Sequence, residues 1–424
     1  MSEGISRLAS GAFGGAYSFV SQHMTLGLPD DVIARLQGRE DFTDLYDSKL
    51  YTSYHHEFQH FVQNLSTSYG VWKTLALRSA GSSFLMGADI AEKSGIALKV
   101  PFDDHVSMRQ TNEVWKLPEH EQAFGIGRVI VNGIKFLEGH QVPKNFNFSG
   151  IASPVGNTSV FVNAGGVSTA ITAVALLEYQ AYTQQLLSLW NTRGIATEHA
   201  EFLGSKIAEY PHFRQPQNLV ASAFKEPVTN KAGLTFLTYE LVTLALSPVF
   251  PAPAVFGLVG VIDDRANNRL VPWEHIHPGW RLRTMVDAIR EQNMLFPEDC
   301  GRQSFIEQVC EKLRWPDAAS ARQILLGQIE GDAASAPIMS DILGCRGEID
   351  RVVGEGEPTH TYIHRILANP TLRKLLRGPI PTYHDDVHML PILVEMAMQN
   401  YFGTGTCPLC FRTPHRAECT FRRG

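Results

Sequence analysis

Apolar residues recur at three- and four-residue spacing through much of this chain. Leu50, Tyr54, Phe58, Phe61 and Leu65 share one stripe of a helix predicted over 44–63, a stretch without Pro or Gly. Asp44 or Asp47 supplies a start signal, and Gly70 lies just past the expected end. A second helix, rich in small residues, is predicted over 71–92. Upstream, 16–26 reads as a short strand and 29–38 as a helix. The pattern changes between 100 and 166, where runs at 129–137, 145–148 and 159–162 read as strands separated by Gly, Pro and Asn. Helical spacing returns at 167 and dominates to about 399, with breaks at 248–253 and 354–358. The most apolar stretch, 233–262, carries Glu240 and is interrupted by Pro248, Pro251 and Pro253. It reads as a buried helix followed by a Pro-rich loop. A membrane span needs about 20 uninterrupted apolar residues, and none is expected.

These elements describe an α+β chain that is predominantly α-helical. The expected organisation is a core over 1–297 with a small β-rich insertion at about 100–166, a helical region over 298–405, and a short cysteine-rich unit over 406–424. A length of 424 residues permits two or three domains, or one large domain with insertions. Hydrophobic content of 44% and charged content of 19% fit a globular protein. A net charge of -6 gives no global attraction to nucleic acid or an anionic membrane. The first residues lack a basic start followed by an apolar run, so no signal peptide is expected. Six cysteines, three of them in the last 18 residues, point to metal binding in a reducing compartment, and hence to the cytoplasm.

The chemistry concentrates at His56-Glu57-Phe58-Gln59-His60, which reads H-E-x-x-H. On a helix, residues four apart are neighbours, so both imidazoles reach one metal ion and Glu57 can address a water there. Such a centre needs a third protein ligand. Glu178 is the first candidate. It is the one carboxylate in a long, nearly charge-free helix expected from Gly166 through Tyr182, and a lone carboxylate on such a surface is costly unless paired or metal-bound. Ala170, Ala173, Ala175 and Ala181 would let that helix pack closely on the motif helix. Glu138, Glu201 and Glu240 are rivals.

With Glu178-Tyr-Gln-Ala-Tyr182, the motif resembles the gluzincin class of zinc metallopeptidases, which pair H-E-x-x-H on one helix with a Glu on a later one. The resemblance implies a zincin-like two-helix site in which His56, His60 and Glu178 ligate a catalytic Zn2+ and Glu57 is the general base. Many gluzincins carry Asp four residues after the ligand Glu. Here Tyr182 stands at that place, and its hydroxyl could orient a ligand histidine. The spacing His277-Pro278 to Arg283 resembles a segment that follows the third ligand in some gluzincins. The resemblance implies that His277 helps hold the transition state, with Arg283 behind it and His275 as an alternative. The competing reading is an ordinary helix start at Pro278 with Arg281 on a solvated face. Tyr54 and His55 are weaker donor candidates.

The tail carries a separate pattern. Cys407, Cys410, His415 and Cys419 read C-x2-C-x4-H-x3-C, a set that fits a closed, structural Zn2+ site. It resembles a zinc knuckle but is one residue short before the last Cys. Arg412, Arg416, Arg422 and Arg423 with Phe411 and Phe421 offer nucleic-acid contacts, but the acidic whole supplies no supporting field. A staple for the C-terminus is favoured. Cys300, Cys310 and Cys345 read as plain buried thiols. The expected function is a zinc peptidase with two zinc ions, one catalytic and one structural, acting on a protein or peptide substrate. The alternative is a zinc-binding interaction module for nucleic acid or protein whose helical metal site is not catalytic.

Overall fold

The computed structural model describes residues 15–17, 24–26, 49–96, 98–100, 118–139, 160–164, 167–191, 204–205, 207–250, 272–298, 301–330 and 421–423. These residues are predominantly helical. In chain order the helices are α1 (Lys49–Ser66), α2 (Ser68–Lys93), α3 (Glu119–Leu137), α4 (Ala173–Asn191), α5 (Pro211–Ala221), α6 (Lys231–Ala245), α7 (Pro278–Glu291), α8 (Arg302–Leu313) and α9 (Ala318–Glu330). The described strands form three two-stranded pairs. β1 (Gly15–Tyr17) and β2 (Met24–Leu26) are antiparallel, as are β4 (Val160–Ala164) and β5 (Val167–Ile171), whereas β3 (Leu98–Val100) runs parallel to β6 (Phe421–Arg423). The predicted strand at 16–26 is therefore the β1–β2 pair. The predicted helix at 29–38 and the run at 145–148 lie outside the described residues. Among the described residues no helix is long and apolar enough to cross a membrane.

The motif helix α1 hands over to α2 at a single residue. Thr67 is extended (φ -112°, ψ 145°), and its Oγ1 accepts from the Gly70 amide at 2.9 Å, capping α2. The same hydroxyl donates to the Gln63 carbonyl at 2.9 Å, closing the end of α1. This sharp turn brings Gly70 against the last turn of α1. A Cβ at Gly70 would lie 2.1 Å from the Gln63 carbonyl oxygen, so only glycine fits. The Tyr69 amide donates to the Leu246 carbonyl at 2.9 Å, which ties this turn to the end of α6.

The run 129–137, read above as a strand, lies within α3. A short apolar run has no decisive period of its own, and length arbitrates. Here 19 residues from Glu119, with Glu119 and Glu121 in the first turn, form a helix buried along almost its whole length. Its glycines, which suggested turns, serve close packing instead. A Cβ on Gly127 would sit 2.6 Å from the Phe84 ring of α2, and one on Gly87 would sit 3.2 Å from the Phe124 ring of α3. The two rings stack with centroids 6.4 Å apart.

A second correction concerns the start of the Glu178 helix. Residues 167–171 are strand β5, and α4 begins at Ala173, so Ala170 belongs to the hairpin and not to the helix. Thr172 closes the step, with its Oγ1 accepting from the Ala175 amide at 3.2 Å. α4 packs on α1, and α5, α6 and α7 pack behind it. Tyr179 anchors this layer, stacking on Phe213 and donating to the Thr235 carbonyl at 3.0 Å. Phe305, Val309, Leu325 and Leu326 of α8 and α9 join the same buried cluster as Phe58 and Phe61 of α1.

Candidate metal centre

Packing of α1 on α4 brings together side chains 122 residues apart in sequence. His56 Nε2 lies 3.1 Å from Glu178 Oε2, and His60 Nε2 lies 3.4 Å from Glu178 Oε1. The two imidazole rings are 5.1 Å apart and nearly perpendicular, at 87°. One ligand atom from each of the three residues can be chosen so that all lie within 4.8 Å of one another. Two ligand atoms each about 2.0–2.1 Å from a tetrahedral zinc are themselves about 3.3 Å apart. The observed separations fit that requirement, and two imidazoles with a carboxylate form a donor set that suits zinc.

The surroundings prepare His60 for such a role. Its Nδ1 lies 2.8 Å from Gln63 Oε1, while the Gln63 amide nitrogen donates to the Leu177 carbonyl at 2.7 Å and to Gln180 Oε1 at 3.1 Å. With its NH2 committed to two acceptors, Gln63 presents only its oxygen to His60. Nδ1 of His60 therefore donates to Gln63, and Nε2 is the nitrogen that faces Glu178 and would be offered to a metal. Gln180 is fixed in turn by donating to Thr243 Oγ1 of α6 at 2.6 Å. Burial alone would lower the His60 pKa. The Glu178 carboxylate overrides burial and holds it up to about 9. Burial likewise opposes the Glu178 charge, but His60 and His56 hold its carboxyl below the usual carboxylate range.

Glu57 is buried beside this cluster and has no hydrogen-bond partner among the described residues. Burial raises its pKa, while His60 and His56 pull it down. Tyr182 is also buried here. Its ring lies 4.6 Å from that of His56, and burial and then Glu178 push its pKa up, so it stays a phenol. No ring contact or hydrogen bond joins Tyr182 to His60 among the described residues.

His277 is fully buried. Its Nδ1 accepts from the Trp280 amide at 3.4 Å as the N-cap of α7, and its ring meets Phe136 and Trp273 edge-on. Among the described residues it makes no hydrogen bond or ring contact with His56, Glu57, His60 or Glu178. Arg281, expected on a solvated face in the competing reading, is buried. It donates to the Leu244, Ala245 and His275 carbonyls at 2.8–3.2 Å and lies 4.0 Å over the Trp315 ring. It closes the C-terminus of α6, where helix carbonyls lack partners and a cation is favoured. Arg283 pairs with Asp287 one turn on, at 2.9 Å. His275 is exposed, with its ring edge toward Trp315.

No protein-family model, no curated protein and no solved structure matches this chain.

The rival carboxylates have other partners. Glu138 pairs with Lys73 at 2.6 Å, and Glu240 faces Arg302 at 3.7 Å. Glu201, the side chains of Tyr54 and His55, and the tail residues Cys407, Cys410, His415 and Cys419 lie outside the described residues, as do Cys300 and Cys345. Cys310 is a buried free thiol. Two residues that motif reading does not single out join the site: Gln63 and Tyr210. Gln63 carries a readable signal, since it falls three residues after His60 on the same helical face. Tyr210 stacks on Tyr182 at 5.0 Å, but it arrives from a separate helix start that no local pattern links to α4.

Proposed function

We propose that this chain is a zinc-dependent peptidase of gluzincin type. His56, His60 and Glu178 would hold the metal. The observation that carries the reading is the placement of Glu57: buried and within electrostatic reach of His56, His60 and Glu178, three side chains with zinc-ligand spacing. A purely structural His–Glu cluster gains nothing from a second buried carboxyl, whose charge burial and Glu178 both oppose. Zinc held there would supply a Lewis acid to polarise the peptide carbonyl and activate water. Glu57 takes a proton from the attacking water and returns it to the leaving amine. Its raised pKa suits a base that must give the proton back. Gln63 keeps His60 in the tautomer that leaves Nε2 bare, and the Tyr182 ring limits how far His56 can turn.

The test compares zinc content and cleavage of a fluorogenic peptide library in wild type, Glu57→Gln and Glu178→Ala. Glu57→Gln should keep its zinc and lose activity by about 10²–10⁴-fold. Glu178→Ala should lose one zinc per chain. Cleavage by Glu57→Gln at the wild-type rate would remove Glu57 as the base.

For the tail, Cys407, Cys410, His415 and Cys419 would hold a second, structural zinc. Support comes from the residues just beyond Cys419. β6 pairs in parallel with β3, with Leu98 opposite Phe421 and Val100 opposite Arg423. A segment already bound into a sheet behaves as a staple better than as a free recruiting arm.

A further inference from the structure

Four glutamine side chains are buried where α1 and α4 meet α6. Gln59 and Gln63 of α1 and Gln180 and Gln184 of α4 are each at most 2% exposed. Buried amides need partners. Gln59 and Gln184 direct theirs to the Tyr239 hydroxyl of α6, at 3.5 and 3.1 Å. Gln63 and Gln180 instead form a file that ends on a candidate metal ligand. His60 Nδ1 lies 2.8 Å from Gln63 Oε1. The Gln63 amide nitrogen donates to Gln180 Oε1 at 3.1 Å, and the Gln180 amide nitrogen donates to Thr243 Oγ1 at 2.6 Å. The Thr243 hydroxyl donates in turn to the Tyr239 carbonyl, one turn back on α6, at 2.8 Å.

This file has a direction. Thr243 has one hydroxyl proton, and the Tyr239 carbonyl takes it. Toward Gln180 the Thr243 oxygen can therefore only accept, so it meets the NH2 end of that amide. Gln180 then turns its carbonyl oxygen to Gln63. Gln63 gives its NH2 to that oxygen and to the Leu177 carbonyl at 2.7 Å, which leaves its own oxygen for His60.

The direction matters because Gln63 is an amide. A carboxylate beside a ligand histidine accepts through either oxygen. An amide turned end for end would bring NH2 to Nδ1, force the ring proton onto Nε2, and so block the nitrogen that faces Glu178. Two acceptors oppose that reversal, the Leu177 carbonyl and the Gln180 oxygen. Both lie on α4, but the Gln180 amide is held from a third helix, by Thr243 of α6.

We propose that Thr243 is a positioning residue for the metal centre: through Gln180 and Gln63 it sets which end of the amide His60 meets, and thereby which nitrogen His60 offers to zinc. This role rests on the zinc-peptidase reading and adds to it a support from α6 that neither ligand helix supplies.

The experiment measures zinc affinity of the full chain by competition with a chromophoric chelator, for the zinc that Glu178→Ala fails to hold. Gln63→Leu removes the acceptor of His60 and should weaken zinc binding by about 10–100-fold. Thr243→Val keeps the shape and removes the hydroxyl. It should weaken binding by about three- to tenfold, the worth of one hydrogen bond. Gln180→Leu cuts the file at its middle and should weaken binding at least as much. Thr243→Ser, which keeps the hydroxyl, and Gln184→Leu, which lies in the same buried layer but off the file, should both stay within about twofold of wild type. Thr243→Val added to Gln63→Leu should cost nothing further, since its effect passes through Gln63. Wild-type affinity in both Thr243→Val and Gln180→Leu would overturn the assignment. So would a full additional loss in the double variant, or a loss in Gln184→Leu as large as in Thr243→Val, because either would reduce the effect to general stability. If wild type and Glu178→Ala bind zinc alike, the zinc reading of this cluster fails, a result that no behaviour of the Thr243 variants imitates.

Discussion

His277 illustrates how one side chain's burial sets a pH dependence for the whole protein. Its ring is fully buried between Phe136 and Trp273, and burial lowers its pKa to about 3 from the ordinary 6.5. The folded protein therefore resists a proton that the unfolded chain accepts. Stability from this group is complete above pH 6.5 and is lost as pH falls toward 3, by roughly 1.4 kcal/mol per pH unit in that window. Asn at 277 can still accept from the Trp280 amide as an N-cap but does not titrate. Urea unfolding of wild type and His277→Asn from pH 7 to 4 should show the wild type losing stability faster, so that the gap between them closes. Parallel lines would mean that the imidazole is not the titrating group. The individual side chains of the motif were legible in the sequence because H-E-x-x-H needs only helical spacing. Tyr210 was not, because its place depends on the start of α5 meeting Tyr182 of α4.

Between elements, α2 and α3 show how close approach is specified. Glycines on each helix face an aromatic ring on the other, and a buried ion pair closes the end of the contact. Lys73 Nζ lies 2.6 Å from Glu138 Oε1, with the two side chains only 10% and 7% exposed, and the Tyr69 hydroxyl is 3.5 Å from the same oxygen. Breaking such a pair costs more than the pair contributes, because it leaves a buried charge uncompensated. Lys73→Met should destabilise by about 3–5 kcal/mol in urea unfolding. Lys73→Met with Glu138→Leu should recover most of that loss, since no charge remains. A double variant as unstable as the single one would mean that the residues act through shape and not charge. The helical nature of α3 was hidden at this scale for the same reason. Its all-round apolar face and three glycines come from burial beneath α2, and both features imitate a buried strand with turns.

Across the whole molecule, the His56–His60–Glu178 cluster links α1 to α4, and the chain closes it over 122 residues. A ligand that binds only the folded state stabilises it by mass action, by about 2.7 kcal/mol at a hundredfold excess over Kd. Zinc should therefore raise Tm in wild type, and the part of that rise due to this centre should vanish in Glu178→Ala. A chelator should reverse it. Identical zinc-induced shifts in wild type and Glu178→Ala would place all the bound metal elsewhere. The sequence alone determined that α1 and α4 are helices, that His56 and His60 share a face, and that Glu178 is an isolated carboxylate needing a partner, since these follow from local periodicity and the cost of burying charge. The tertiary structure decided which partners that carboxylate meets, where Glu57 and Tyr182 stand around it, and that His277 caps a helix. Those outcomes depend on how helices distant in the chain pack side by side, and no spacing within a single helix encodes the distance between two.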